Sequence, residues 1–194
     1  MRSTRSAKQT PPVTEFPPAP DRVDPPYRDG ERAAVEAWLE FHRATLLAKC
    51  AGLTPEQLGE RPVPPSSLSL RGLLRHMTEV ERSWFRRVVA GEQAPPLYYG
   101  PDDEDGDFDA VGRDTDHPDT ATAVARELAA FTAECEVSRR LAGAHGSLDD
   151  VGAGLRHGQQ VSLRWVFLHM IEEYARHNGH ADLLRERIDG ATGD

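Results

Sequence analysis

The stretch from residue 70 to 88 constrains the fold of this chain most, because its apolar residues recur at the spacing of one helix face. These positions are Leu70, Leu73, Leu74, Met77, Val80, Trp84 and Val88. A strand would instead alternate apolar and polar residues, and no convincing alternation of that kind occurs in the chain. The stretch therefore predicts an amphipathic helix that begins after Ser66 or Ser67, both good caps, and ends near Ala90.

Three further segments have the same helical periodicity. They predict helices from about residue 30 to 51, from about 119 to 142 and from about 162 to 187, with Ser162 as the expected cap of the last one. A short helical turn is expected at 54–58. Helices of mixed sequence persist only when they pack together. The sequence therefore predicts an all-α fold in which four helices form a bundle.

The segment before the first helix differs from the rest in composition. Residues 1–28 contain seven prolines and little periodicity, which predicts a disordered or wrapping Pro-rich arm ahead of a helical domain at 29–190. Cys50 and Cys135 are too far apart in sequence to suggest a disulfide framework or a zinc ribbon, and we expect both to be buried and inert. The chain has neither a long apolar run nor a secretory signal, so we expect no membrane span and a cytoplasmic location.

The net charge of −9 is concentrated in one stretch. Residues 101–119 contain nine acidic residues and one arginine. An EF-hand loop aligned on Gly106 would place Pro101 and Gly112 at ligand positions, so we reject a calcium loop. We interpret the stretch as a solvated acidic loop within a long excursion at 92–118, which is a lid or a disordered segment. No basic face is evident, so a nucleic acid partner is not expected.

The last predicted helix carries polar residues where a core face is expected. On a helical wheel His169, Glu173, His177 and His180 share the arc of the helix's large apolar residues. Burying a carboxylate and several imidazoles without partners costs several kcal/mol, and a divalent cation would remove that cost. Glu173 and His177 are spaced i and i+4, so that both can reach one metal ion.

A third donor is available on the second long helix. His76 lies at the edge of its apolar stripe, so that it can lean into the interior. His76, Glu173 and His177 would form a set of two histidines and one carboxylate with open coordination positions, as in catalytic zinc sites and other divalent sites. Spacing alone leaves alternatives open, because His169 or His180 could replace either ligand and Glu173 with His177 could be a buried ion pair.

The helical wheel and the sequence context also predict where several other residues lie. We expect Trp38, Trp84 and Trp165 to be core residues. Glu79 is predicted to face more outward than His76, and together with Arg176 and His180 it is a candidate to surround the ligands. The remaining histidines are interpreted as surface or loop residues: His42, His117, His145 and His157.

Segments 70–92 and 163–186 resemble those of the DinB/YfiT-like superfamily, and most closely its branch in bacteria that make mycothiol. Segment 38–58 resembles the same branch, so that the resemblance covers about residues 28–190. It implies a four-helix bundle of up-down-down-up topology that holds a divalent metal. One histidine of the second helix and two ligands of the last helix would bind the ion.

The resemblance also ranks the candidate ligands. Many members carry H-x-x-x-H-x-G-Q in the last helix, where this chain has Glu173, His177, Gly179 and His180. The form with Glu resembles mycothiol-dependent isomerases of the superfamily, which use a His, Glu, His set, so Glu173 and His177 rank above His169 and His180. Zinc is the first expectation, and the carboxylate leaves nickel, manganese and iron open. Gly179 is expected either to face a closely packed helix backbone or to be incidental.

The resemblance implies a divalent-metal-dependent S-transferase that uses a thiol of the mycothiol type. Its partners would be a small-molecule thiol and an electrophile, and a homodimer fits the superfamily. Two alternatives remain: a hydrolase that activates water on the metal, and a non-catalytic bundle whose metal stabilises the fold or the dimer. The sequence assigns no general base.

Overall fold

The computed structural model describes residues 14–112 and 119–193, and its regular elements are helices. These are α1 (Glu31–Cys50), α2 (Pro55–Leu58), α3 (Leu70–Glu81), a π-helix (Arg82–Val89), α4 (Gly106–Asp109), α5 (Thr120–Gly143) and α6 (Leu163–Asp189). In these two ranges β-type pairing is limited to isolated bridges. The all-α prediction is confirmed. None of the helices in the described part of the chain has both the length and the apolar character needed to cross a membrane.

Side-chain caps fix where the long helices begin. Ser162 caps α6 as predicted, accepting a hydrogen bond from an amide of the first turn. The predicted cap of the second long helix was wrong, because Ser69 takes that role in place of Ser66 or Ser67. The backbone of Ser69 is extended, and its hydroxyl accepts from the amide of Gly72 at 3.0 Å.

The second long helix changes its hydrogen-bonding pattern part-way along. Over Arg82–Val89 it is a π-helix, and the amide of Ala90 donates to the carbonyl of Phe85, five residues earlier, at 3.0 Å. The prediction of one continuous α-helix was therefore wrong for these residues. Segments of this kind are rare and occur frequently at functional sites.

The long helices enclose one apolar core. Helix α1 packs along α6, α3 packs against α5 and α6, and the π-helix packs against α5. Large side chains that are fully buried there include Leu39, Leu46, Leu73, Met77, Phe131 and Tyr174. The prediction of two buried thiols is confirmed for Cys50 and Cys135. Burial raises the pKa of Cys50 to about 12, which keeps this thiol protonated.

Part of the segment before α1 contacts this core. Phe16 is 2% exposed, its amide donates to the carbonyl of Leu53 at 2.8 Å, and its carbonyl accepts from the amide of Gly52 at 3.0 Å. These contacts hold residues around Phe16 against the turn that follows α1. Residues 1–13 lie outside the described residues.

Residues 150–163, which we call the flap, pack against the π-helix. The amide of Gly154 donates to the carbonyl of Val88 at 2.9 Å. A Cβ atom on Gly154 would lie 1.9 Å from the carbonyl oxygen of Arg87, and one on Gly152 would lie 2.3 Å from that of Val88. The glycines of this stretch therefore allow two backbones to approach closely.

The three tryptophans occupy different environments. Trp84 is buried, whereas Trp38 is 46% exposed and Trp165 is 48% exposed. The prediction of a core position was thus confirmed for Trp84 and wrong for the other two. An indole at the edge of a helix's apolar arc can face a cleft, and helical spacing alone does not separate that case from full burial.

Candidate metal centre

Side chains from two helices bring three metal-binding groups together. Donor atoms of His76 on α3 and of Glu173 and His177 on α6 lie within 4.8 Å of one another, and we call these residues the donor cluster. Glu173 Oε2 lies 3.5 Å from His177 Nε2, which is longer than a normal hydrogen bond. Two ligands of one tetrahedral zinc ion are roughly 3.4 Å apart, given metal–ligand distances near 2.1 Å. The residues present therefore fit a divalent cation.

A buried carboxylate orients the histidine of α3. His76 Nδ1 lies 2.7 Å from Asp107 Oδ2, and Asp107 is only 6% exposed. Phe108 stacks on the other side of the imidazole, with 4.7 Å between ring centroids. A carboxylate at Nδ1 favours the tautomer that carries its proton there, which leaves the lone pair of Nε2 available to a metal.

Side chains of α3 hold the segment that supplies this carboxylate. Glu79 Oε1 accepts from the amides of Leu97 and Tyr98, the latter at 2.6 Å. Arg75 donates to the carbonyl of Gly106 at 3.0 Å. A Cβ atom on Gly106 would lie 2.6 Å from the carbonyl oxygen of Tyr98, so the close approach requires glycine. Helix α4 is thereby fixed beside the donor cluster.

Two predictions about this region were wrong. Glu79 was expected to face outward, but it is 3% exposed, and burial raises the pKa of its carboxyl group. The acidic stretch was expected to be a solvated loop, which is wrong for Asp107, buried on His76, whereas Asp102, Glu104 and Asp105 are exposed. No signal in the sequence separates Asp107 from its acidic neighbours. His117 lies outside the described residues.

The histidine of α6 that belongs to the donor cluster is kept neutral. Burial, followed by the neighbouring imidazoles of His76 and His180, lowers the pKa of His177 to about 3. A neutral imidazole is the form that binds metals. His180 Nδ1 lies 3.4 Å from His177 Nδ1, the ring nitrogen of His177 that does not face Glu173.

One protein-family model matches most of the chain. Residues 34–190 match the family model described as mycothiol-S-transferase. The chain belongs to this family. This DinB-like family supports the resemblance to the DinB/YfiT-like superfamily. Neither the curated proteins nor the solved structures include a match to the chain.

In this member of the mycothiol-S-transferase family, His169 adjoins the donor cluster without being one of its three residues. Its Nε2 lies 3.4 Å from Glu173 Oε1, and its Nδ1 lies 3.7 Å from Glu172 Oε2. Arg176 pairs with Glu172 and lies 3.6 Å from Glu173. Donor atoms of His169, Glu172 and Glu173 also lie within 4.8 Å of one another, but all three residues belong to α6 and they are the more exposed set.

Gly179 does not pack closely against another helix backbone, which was one of the two expectations for this residue. A Cβ atom at this position would meet nothing within 4 Å, and the residue is exposed. The expectation of a closely packed helix backbone was therefore wrong, and the alternative of an incidental glycine fits the open surface.

Proposed function

We propose that this protein is a divalent-metal-dependent enzyme that transfers a low-molecular-weight thiol, mycothiol, through its sulfur to a small electrophile. The observation that supports the proposal is the convergence of the donor cluster in a chain of the mycothiol-S-transferase family. The proposal includes a cytoplasmic protein whose four long helices run up-down-down-up and which forms a homodimer.

His76, Glu173 and His177 would hold the metal, with zinc as the first choice and nickel, manganese or iron as the alternatives. When bound, the cation would lower the pKa of a coordinated thiol and so supply a thiolate at neutral pH. Asp107 keeps the proton of His76 on Nδ1, and burial keeps His177 neutral, so both imidazoles present lone pairs. Three protein ligands leave a position open, whereas structural zinc sites have four.

Transfer requires three events. The thiol gives its proton to solvent water, the sulfur forms a bond to carbon of the electrophile, and the leaving group departs from that carbon with the electron pair of the broken bond. Phe108 and His180 lie beside His177, with 6.5 Å and 5.3 Å between ring centroids, and would limit access of water there. This chemistry needs no redox partner.

The first experiment measures metal content and electrophile loss on the same preparation. We expect about one divalent ion per chain by elemental analysis, and loss of the electrophile only when mycothiol is present. His177→Ala should lose both the metal and the activity. His145→Ala is the matched control, because this partly buried loop histidine pairs with Asp150 away from the donor cluster and should change neither.

Other results would select the alternatives. Electrophile loss that does not depend on the thiol indicates the hydrolase. Bound metal without any turnover, combined with a lower melting temperature after chelation, indicates a metal that only stabilises the fold. A preparation without stoichiometric metal, in which His177→Ala changes nothing, refutes the donor cluster as a metal site.

A further inference from the structure

A cavity of about 720 Å³ lies between the flap and α6. This volume is within the range of small-molecule pockets. We call it the flap pocket, and the residues of its wall that matter here are Trp84, Trp165, His169, Arg156, Gln159 and Gln160. His169 joins the pocket to the donor cluster, because its Nε2 lies 3.4 Å from Glu173 Oε1.

One wall of the flap pocket is aromatic. Trp165 stacks on His169 with 5.0 Å between ring centroids and an angle of 19°. Trp84 meets the same imidazole edge-on at 4.5 Å. Trp84 is buried, but Trp165 is 48% exposed, so an indole surface remains available to a ligand. Large aromatic side chains with an open surface are efficient platforms for a flat or apolar ring face.

A second part of the wall, beside the aromatic one, is polar and is shaped by a tight turn. Arg156 and Gln159 exchange two backbone hydrogen bonds of 2.9 Å, and the two residues between them, His157 and Gly158, have φ of 48° and 76°. Positive φ at both central residues is the requirement of a type I′ hairpin turn. The guanidinium group of Arg156 lies 5.2 Å from the ring centroid of Trp84. The turn thus holds hydrogen-bonding side chains next to the aromatic wall.

From this combination we infer that the flap pocket binds the sugar portion of the thiol, an inference that rests on the proposed function. Mycothiol carries its N-acetylated cysteine on glucosamine joined to inositol, two saturated rings that bear hydroxyl groups and no charge. The C–H face of such a ring packs on the Trp165 indole by dispersion. Its hydroxyl groups can accept hydrogen bonds from Arg156 and exchange them with the amide of Gln159.

The composition of the walls favours this occupant over the electrophile. A flat aromatic electrophile would use the indole but would form no hydrogen bonds with the exposed polar side chains of the turn. A hydroxyl-rich ring uses both walls. His169 lines the flap pocket and lies one helix turn from Glu173 of the donor cluster. The thiol of a ligand bound in the pocket therefore has to cross only about that distance to reach the donor cluster.

The test uses the sugar without its thiol. N-acetylglucosaminyl inositol is titrated into the full-length, metal-loaded protein by isothermal calorimetry. We expect the wild type to bind it, and Trp165→Ala to bind it roughly tenfold more weakly, given the usual worth of an aromatic contact. Trp38→Ala is the matched control, since Trp38 is an equally exposed indole on α1 outside the flap pocket. Its affinity should equal that of the wild type.

Gln159→Ala gives a second, milder probe of the polar wall, with an expected loss of roughly threefold for one hydrogen bond. Transfer to the electrophile is then compared for mycothiol and for N-acetylcysteine, which lacks the sugar. Trp165→Ala should raise KM for mycothiol and leave the kinetics with N-acetylcysteine unchanged.

Failure of this inference differs from failure of the proposed function. An active, thiol-dependent enzyme that does not bind the sugar, or that loses equal affinity in the two tryptophan variants, overturns the sugar site alone. An equal loss with mycothiol and N-acetylcysteine also overturns it, because the pocket then serves the electrophile. If the protein binds the sugar through Trp165 but does not transfer the thiol to the electrophile, the inference stands and the proposed function is overturned.

Discussion

Two polar clusters each contain side chains of both α3 and α6, and they differ in the distances between their polar atoms. In the first, which we call the closed cluster, Arg43 donates two hydrogen bonds of 2.7 Å to Glu81, and the Tyr174 hydroxyl donates a third of 2.7 Å. Glu81 is fully buried. In the donor cluster the nearest carboxylate and imidazole atoms are 3.5 Å apart, and His76 and Glu173 retain contact with solvent.

The neighbouring residues Glu173 and Tyr174 therefore serve different purposes. Burial, followed by the nearby Glu81 carboxylate, raises the pKa of Tyr174, so that this residue remains a neutral donor in the closed cluster. Glu173 points to the other side of α6, where its oxygens lie between two imidazoles without short hydrogen bonds to them. A set of short bonds stabilises the fold by itself, whereas a set of spaced donors has room for a ligand.

The largest expected effect comes from breaking the closed cluster. Glu81→Ala leaves the buried Arg43 cation without its main partner and should lower the free energy of unfolding by about 3–5 kcal/mol. Urea denaturation measures this value. Glu36→Ala removes a surface ion pair with Arg32 and should change stability by less than about 0.5 kcal/mol. Similar losses for the two variants would contradict the distinction between the clusters.

A change in the carboxylate that supports the donor cluster is expected to affect metal affinity. Asp107→Asn weakens the orientation of His76 and should reduce metal affinity by about 10–100-fold, measured by competition with a chelator. Asp102→Asn changes an exposed acid of the same stretch and should have no effect on affinity. Unchanged affinity in Asp107→Asn would show that His76 does not depend on this contact.

A third variant changes the contact between the flap and the π-helix and leaves both clusters intact. Gly154→Ala forces a methyl group against the carbonyl of Arg87 and should lower the free energy of unfolding by about 1–3 kcal/mol, with metal content unchanged. Gly146→Ala, at a position with open space around its Cβ, is the control in the same denaturation experiment. Equal stability of the two variants would mean that the flap moves away at little cost.

The smallest effect is a gain in stability. Gly179→Ala adds a methyl group in open space within α6 and should raise the free energy of unfolding by about 0.5–1 kcal/mol through helix propensity. Metal content should stay the same, because the residue faces away from the donor cluster. Thermal unfolding measures the gain, and a loss of stability or of metal would indicate that something covers this surface.

The spacing of apolar residues predicted the positions of the long helices well, because this spacing depends only on which helix face is buried. It placed α6 within two residues and selected its cap, Ser162. It missed the π-helix, since the same apolar residues satisfy either hydrogen-bonding pattern over eight residues. It also chose the wrong serine before α3, because three serines precede Leu70 and only the backbone of Ser69 has the geometry of a cap.

Helical spacing made the members of the donor cluster candidates, and the resemblance to the DinB/YfiT-like superfamily ranked Glu173 and His177 above the other histidines of α6. Asp107 was not predicted, because it reaches His76 across 31 residues of sequence through a segment without periodicity. Glu79 was misread for a related reason. The wheel showed only its angle from the stripe, whereas the chain segment at Leu97 and Tyr98 folds back and buries it.

The contacts of Phe16 bear on where the folding unit begins. The family match starts at residue 34, yet the core contains an aromatic ring from 18 residues upstream, and both backbone groups of that residue are bonded to the turn after α1. A protein trimmed to the matched span would retain every member of the donor cluster but would uncover the apolar surface beneath Phe16. Truncation tolerance follows burial rather than sequence position, so we expect the smallest autonomously folding version of this protein to extend upstream of the family boundary.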